Sequence, residues 1–387
     1  MNIKKNWILI SLIVVISVVG FTSWFLSKSD DHANEQTRIG VVLPLTGDLA
    51  NFGKTVLNGI QLALDDYVQE NPSLEIKLLP EDSQAKPAVA VSALQKLIDA
   101  NGVQIIIGSL TSSATLAMAP IAQQRQILLI SPTASNPKLS DAGPFFIRVW
   151  PSDSFDGAIA AEYCYNNLGL RKAGVVNLNN DYGLGLKQVF TSTFKRLGGE
   201  VSFSDSYLED ATDFRTLLTK ANHQDLDVLY LPGHPQGIGT ILKQARELGV
   251  SMTFISNVAA EDKEFLSVAG NAAQGLFFTA PAFSIETGGP AMKRFVQEYK
   301  RRFNDTPDVH AVKGFEAMTV LLEAIGNNYR SPNEIKDFLL VGRSFDVLSG
   351  NIQFDANGDV ITAMAVKQYD DTGDVLLREI WSPTEVR

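Results

Sequence analysis

The chain contains a single cysteine, Cys164, among its 387 residues. An intrachain disulfide is therefore excluded, and so is a cysteine-based metal centre. Cys164 falls in AAEYCYNNL, where the apolar spacing is helical, and it reads as a packed core thiol. Histidine is also scarce, with only His32, His223, His234 and His310. None of them forms an HxxxH or HExxH pair, so a zinc enzyme is not expected. GxSxG, the P-loop and a Cys–His nucleophile pair are likewise missing, so no enzyme activity is expected and no cofactor or metal. NNDYGLG carries Gly183 and Gly185, but Gln188 stands where a dinucleotide fingerprint needs its third glycine. Basic charge is in deficit, with 33 Lys and Arg against 43 Asp and Glu and a net charge of −10. No basic block occurs beyond the N-terminus, which argues against nucleic acid as a partner. Internal repeats are absent, which excludes a solenoid.

The one long apolar run lies at the N-terminus. Residues 7–26 follow Lys4 and Lys5 and carry no charge. At about 1.5 Å per helical residue the run matches a hydrocarbon core of roughly 30 Å. It exceeds the usual signal-peptide core and ends without a small-x-small site, so a retained anchor is favoured, with a cleaved signal peptide as the alternative. Either way the lysines stay inside and the rest of the chain is placed outside the cytoplasm, in the periplasm or at the cell surface. Residues 27–37 (SKSDDHANEQT) are polar and unpatterned and read as a tether.

From Arg38 onward, strands and helices alternate. RIGVVLPL is followed by Phe52, Val56, Ile60, Leu64 and Tyr67 at helical spacing; LEIKLL, VQIIIG and ILLISP are further strands separated by helices. The rhythm restarts after FFIRVWP with a helix near 156–168, then AGVVNL, DVLYLP, MTFIS and GLFFTAP. IQFDANGD and MAVKQYDDTGD have the alternation and turn residues of hairpins. Two α/β runs with a mixed tail predict two Rossmann-like lobes with parallel-sheet cores.

In such sheets ligands bind beyond the carboxyl ends of strands, where helices begin. GSLTSSAT (108–115) is one such junction, with Ser112 or Ser113 as the expected N-cap. The free N–H groups of that helix start favour an anion such as a carboxylate. SPTASNP (131–137) and NNDYGLG (179–185) are two more junctions of this kind. Phe52 and Tyr182 stand at helix starts and His234 lies past a strand end, all three suited to a pocket wall or to ordinary packing.

Taken together and in order, IGVVLPLTGDLANFGKTVLNGIQLALDD, IIIGSLTSSATLAMAPIA, ILLISPTASNP, NDYGLG, ILKQARELGV and IQFDANGD resemble type I periplasmic binding proteins. The chain is most similar to the leucine/isoleucine/valine-binding branch that serves ABC importers. The resemblance implies two lobes joined by three crossovers, with hinges near Val149–Trp150, Pro281 and 345–350. It places the first lobe at 38–149 plus 282–345 and the second at 150–281 plus 346–387, after an N-terminal segment 1–37. Ser112 then matches the hydroxyl that holds a ligand carboxylate, Thr133 supplies backbone groups, and Ser135 is the second hydroxyl. Phe52 and Tyr182 match aromatic walls, and His234 stands where tyrosine is common. The acid that pairs with a ligand ammonium is replaced by Val258, with Glu261 and Asp262 three and four residues on, so Glu261 is a candidate in a shifted register. Thr111 stands where the family's early disulfide would have a partner. The implied function is capture of a small amino acid or related carboxylate or amide and delivery to ABC permease subunits. A membrane-tethered sensor or accessory subunit is the alternative.

Overall fold

The computed structural model describes residues 36–382, so the apolar run 7–26 and the tether up to residue 35 lie outside the described residues. Among the described residues no helix is long and apolar enough to cross a membrane.

The first sheet is built from β1 (Thr37–Leu43), β2 (Ile76–Asp82), β3 (Ile105–Gly108), β4 (Leu128–Ser131) and β5 (Phe146–Arg148), in the order β2-β1-β3-β4-β5. All its pairings are parallel. The intervening helices are α1 (Ala50–Glu70), α2 (Pro87–Asp99) and α3 (Ser112–Arg125). Both faces of β1 are covered, which is why it reads as an unbroken apolar run. Ile39, Val41 and Leu43 join Val56, Ile60 and Leu321 in one core, while Val42 joins Leu94, Leu97 and Met118 in another. The strand order reverses at β1, between β2 and β3. Such a reversal opens a crevice above the strand ends.

A crossover after β5 leads to α4 (Asp153–Glu162), which starts earlier than the sequence pattern suggested and ends in a π turn at Tyr163–Asn167. The second sheet follows: β6 (Lys172–Leu178), β7 (Glu200–Tyr207), β8 (Val228–Leu231), β9 (Thr253–Ser256) and β10 (Phe277–Pro281). Its helices are α5 (Asp181–Arg196), α6 (Arg215–Asn222), α7 (Pro235–Glu247) and α8 (Lys263–Ala269). The chain then returns to the first core through α9 (Pro290–Phe303), α10 (Val309–Gly326) and α11 (Pro332–Leu340). Helix α10 lies so close to α1 that a Cβ on Gly59 would sit 2.1 Å from the Ala311 carbonyl oxygen. Glycine there lets the two backbones meet.

The tail divides differently from the expectation. Strands β11 (Phe345–Val347), β12 (Gly350–Phe354) and β13 (Val360–Ile361) form a small antiparallel sheet. The sequence reading assigned residues from 346 on to the second lobe, but Val347, Ile352, Phe354 and Val360 pack into the core that contains Ile39 and Val41. The physical reason is Asp359, whose carboxylate accepts from the fully buried Arg148 at 2.6 Å and from Ser140 at 2.6 Å. Only β14 (Met364–Tyr369) and β15 (Val375–Trp381) join the second sheet, giving the order β15-β14-β10-β9-β8-β6-β7. The last return therefore lies at residues 362–363, beside the middle one, where Ala282 N–H donates to the Ala363 carbonyl at 3.1 Å. Cys164 is fully buried, and burial pushes its thiol up.

Candidate functional site

Between the two sheets lies a cleft of about 1640 Å³. That is larger than the roughly 300–1,000 Å³ of an enclosed small-molecule pocket, as suits a groove between two bodies. Phe52, Ser112, Thr133, Ser135, Tyr182, His234 and Glu261, the seven side chains singled out from sequence, all line it.

On the first-sheet side the site begins where β3 gives way to α3. Thr111 has extended backbone angles, and its hydroxyl accepts the Ala114 N–H at 3.4 Å, so Thr111 is the N-cap rather than Ser112 or Ser113. Ser112 is released from capping and turns toward the loop after β4. Its Oγ accepts from Ser135 N at 3.4 Å and Asn136 N at 3.2 Å, and it is 3% exposed. Thr133 donates its hydroxyl to the Leu110 carbonyl at 2.7 Å, tying the same two loops together. The first N–H groups of α3, those of Ser112 and Ser113, fall outside the helical ladder, and both residues line the cleft. An anion at this point meets N–H donors, a helix dipole and hydroxyls.

The opposite wall is aromatic and polar. Tyr182 sits in the first turn of α5, which Asn180 caps by accepting the Gly183 N–H at 2.9 Å. The Tyr182 hydroxyl accepts from Asn257, and burial pushes it well above the ordinary phenol range, so it stays neutral. Its ring stacks on His234 at 6.0 Å. His234 in turn pairs through Nδ1 with Glu209 at 2.6 Å.

Val258 opens a short 3-10 turn, Val258–Glu261. Glu261 is ion-paired with Lys367, so its charge is already compensated. Asp262 caps α8 by accepting the Glu264 N–H at 2.7 Å.

Four residues of this region escaped the sequence reading. His310 and Trp150 complete the aromatic wall. The imidazole lies edge-on to Phe52 at 4.9 Å and stacked with Trp150 at 5.9 Å. Burial disfavours its charged form, but the Asp308 carboxylate 3.6 Å from Nδ1, helped by Asp262, holds it above the usual histidine value. Asp262, Asp308 and His310 bring one potential ligand atom each within 4.8 Å of one another. The Asp308 contact favours the protonated form of the imidazole, which works against metal ligation there. The other two are Asp153 and Asp156 on the first turn of α4, 1% and 3% exposed. Burial pushes both carboxyls up, Asp153 with a further contribution from Asp156, and Asp156 reaches about 6. No motif marks these residues; only a strand–helix count that placed α4 correctly would have brought the two acids to the hinge.

The residues 36–374 match the model of a family described as periplasmic binding protein. A Leu/Ile/Val-binding protein of Rhizobium johnstonii is 26% identical over 354 residues, covering 90% of this chain and 95% of the relative. The crystal structure of a leucine-binding protein from Thermotoga maritima is 31% identical with a TM-score of 0.82, covering 90% of this chain and 99% of that one. A branched-chain amino acid transporter substrate-binding protein from Streptococcus pneumoniae, solved in complex with isoleucine, is 25% identical with a TM-score of 0.80, covering 90% and 100%.

Proposed function

The chain belongs to the periplasmic binding protein family, and from that premise we propose that it is an extracytoplasmic receptor for an amino acid or a closely related small carboxylate, delivering it to an ABC importer. It is a solute-binding protein and not an enzyme. The observation that carries the reading is the meeting, in one cleft, of a helix start with two buried serine hydroxyls on one side and Tyr182 with His234 on the other. The carboxylate end of the ligand sits at Ser112, Ser113 and Ser135, and its apolar body lies against Phe52, Trp150 and Tyr182. Closure follows from the connectivity. Lobe 1 comprises 37–149 and 282–361, lobe 2 comprises 150–281 and 364–382, and three thin returns join them. Asn136 already donates to the Asp181 carbonyl across the divide. The lobes swing about the returns and engulf the ligand.

We propose that the N-terminal run 7–26 directs the receptor out of the cytoplasm, either retained as a membrane anchor with Lys4 and Lys5 on the inner side or removed as a signal peptide. A thermal-shift screen of the protein against the twenty L-amino acids and small organic acids tests the function. Saturation at a hundred times the dissociation constant adds about 2.7 kcal/mol of stability. A screen in which none of these compounds raises the melting point contradicts the proposal.

A further inference from the structure

His310 stands where the two lobes face each other. It lies in the first turn of α10, in lobe 1, beside the N-cap Asp308, whose carboxylate accepts the Ala311 N–H at 2.9 Å. Opposite, in lobe 2, Asp262 is the N-cap of α8. One atom from each of these three side chains lies within 4.8 Å of the other two, so carboxylates from different lobes meet around one imidazole. Each acid caps a helix start, and neither can turn away without giving up its cap. The imidazole is held as well, edge-on to Phe52 and stacked with Trp150. Its Nδ1 is buried without a hydrogen-bond partner, 3.6 Å from Asp308, which is ion-pair distance.

Charge decides what this arrangement does. With a neutral imidazole, two carboxylates on opposing lobes face each other in a partly buried site, and like charges at that range push the lobes apart. With an imidazolium, one cation lies between two anions and draws the lobes together. Asp262 already senses both neighbours. Burial pushes its carboxyl up, the Glu264 N–H and the His310 charge oppose the rise, the Asp308 charge adds to it, and Lys263 lowers it. Among the described residues, Asp308 and Asp262 are the charged groups that act on His310, while α1 and the first return offer it the uncharged rings of Phe52 and Trp150. A second polar contact across the divide, from the Asn136 side chain to the Asp181 carbonyl, involves no titrating group.

We propose that His310 is a charge latch on the cleft: as an imidazolium it bridges Asp308 of lobe 1 and Asp262 of lobe 2 and holds the lobes together, and on losing its proton it leaves two carboxylates that drive them apart. Lower pH therefore favours closure. Burial lowers the imidazole, but the Asp308 carboxylate and then Asp262 raise it above its ordinary value of 6.5. Phe52 and Asp308 belong to lobe 1 and stay with the ring, so Asp262 is the contribution that opening removes. His310 binds its proton more tightly in the closed protein than in the open one. The stabilisation of the closed form is complete below the open-form value and is lost as pH rises through the closed-form value. The latch acts on the lobes directly, whatever the cleft binds.

The test uses the ligand-free protein, with the proton as the probe. Nuclear magnetic resonance titration of histidine-labelled protein follows each imidazole, and His310→Gln identifies the His310 signal by its loss. In Asp262→Asn, where asparagine keeps the α8 cap, the His310 midpoint should fall by about half a pH unit. In Glu264→Gln, on the same wall of the cleft, it should stay where it is. Small-angle scattering should give the wild type a larger radius of gyration at about pH 8.5 than at about pH 5.5, on either side of the histidine range. In His310→Gln and in Asp262→Asn the radius should not change with pH. A His310 midpoint that is the same in the wild type and in Asp262→Asn overturns the inference, because Asp262 then does not act on the ring. A wild-type radius that is constant with pH overturns it too, and so does a pH dependence that survives in either variant. If His310→Gln fails to fold, single replacements of His32, His223 and His234 assign the remaining signal, and Asp262→Asn alone decides.

Discussion

The Ser112 hydroxyl accepts the backbone N–H of Asn136 at 3.2 Å, and through this bond the start of α3 is fixed against the loop after β4. One side chain thus shapes the floor of the cleft and, in the proposed site, faces the ligand. Removing it has two effects. Ser112→Ala orphans N–H groups of a buried loop, at a cost of about 1–3 kcal/mol each where no water replaces the oxygen. The melting point of the ligand-free protein should fall by a few degrees, and affinity for a carboxylate ligand by tenfold or more. Scanning calorimetry and titration read the two separately. A variant with full affinity contradicts the assigned role.

Asp156 makes stability depend on pH in a definite direction. Its carboxyl is raised from 3.8 to about 6 by burial, partly offset by the Thr279 hydroxyl. A group raised in the folded state stabilises it fully below the unfolded value and ceases to do so as pH rises through the folded one. The shift corresponds to roughly 3 kcal/mol, lost between about pH 4 and pH 6. Asp156→Asn does not titrate, so its melting point relative to wild type should rise across that interval and level off above pH 7. A constant difference from pH 4 to pH 8 would contradict the buried, protonated acid.

The Lys313–Glu316 pair is fully buried at 2.7 Å, and Glu316 also accepts the Ser349 N–H at 2.7 Å. Lys313→Met strands a carboxylate in the core and should destabilise the protein by about 3–5 kcal/mol. Replacing both partners, as in Lys313→Met with Glu316→Leu, should restore most of that loss. Denaturant unfolding of the two variants makes the comparison, and a double variant no more stable than the single one would count against it.

Hinge motion has its own signature. Small-angle scattering should give a smaller radius of gyration for the saturated protein than for the ligand-free one, because the proposed lobes are joined only by three backbone returns, near 149–150, 281–282 and 362–363. Superimposable profiles would indicate a rigid cleft.

The two-lobed architecture was legible because each change from strand to helix alters the apolar period, and runs such as IGVVL and IIIG are buried on both faces. The hydroxyl-bearing junctions were legible for a related reason: a helix start after a parallel strand has a known place in the fold. Ser112 and Tyr182 follow from that rule, and Ser135 from the family resemblance. Trp150, His310 and Asp153 do not, since each acquires its neighbours only when distant segments meet. The third return was misplaced on the same account. DANGD reads as a hairpin turn wherever it lies, and what fixes it to the first lobe is the bond between Arg148 and Asp359, 211 residues apart in sequence.

The most direct test of the receptor assignment is isothermal titration of the purified protein with L-amino acids, repeated on Ser112→Ala. The account predicts one-to-one binding of at least one amino acid, weakened tenfold or more in the variant. Binding of none at millimolar concentration, or binding that is indifferent to Ser112, would contradict it.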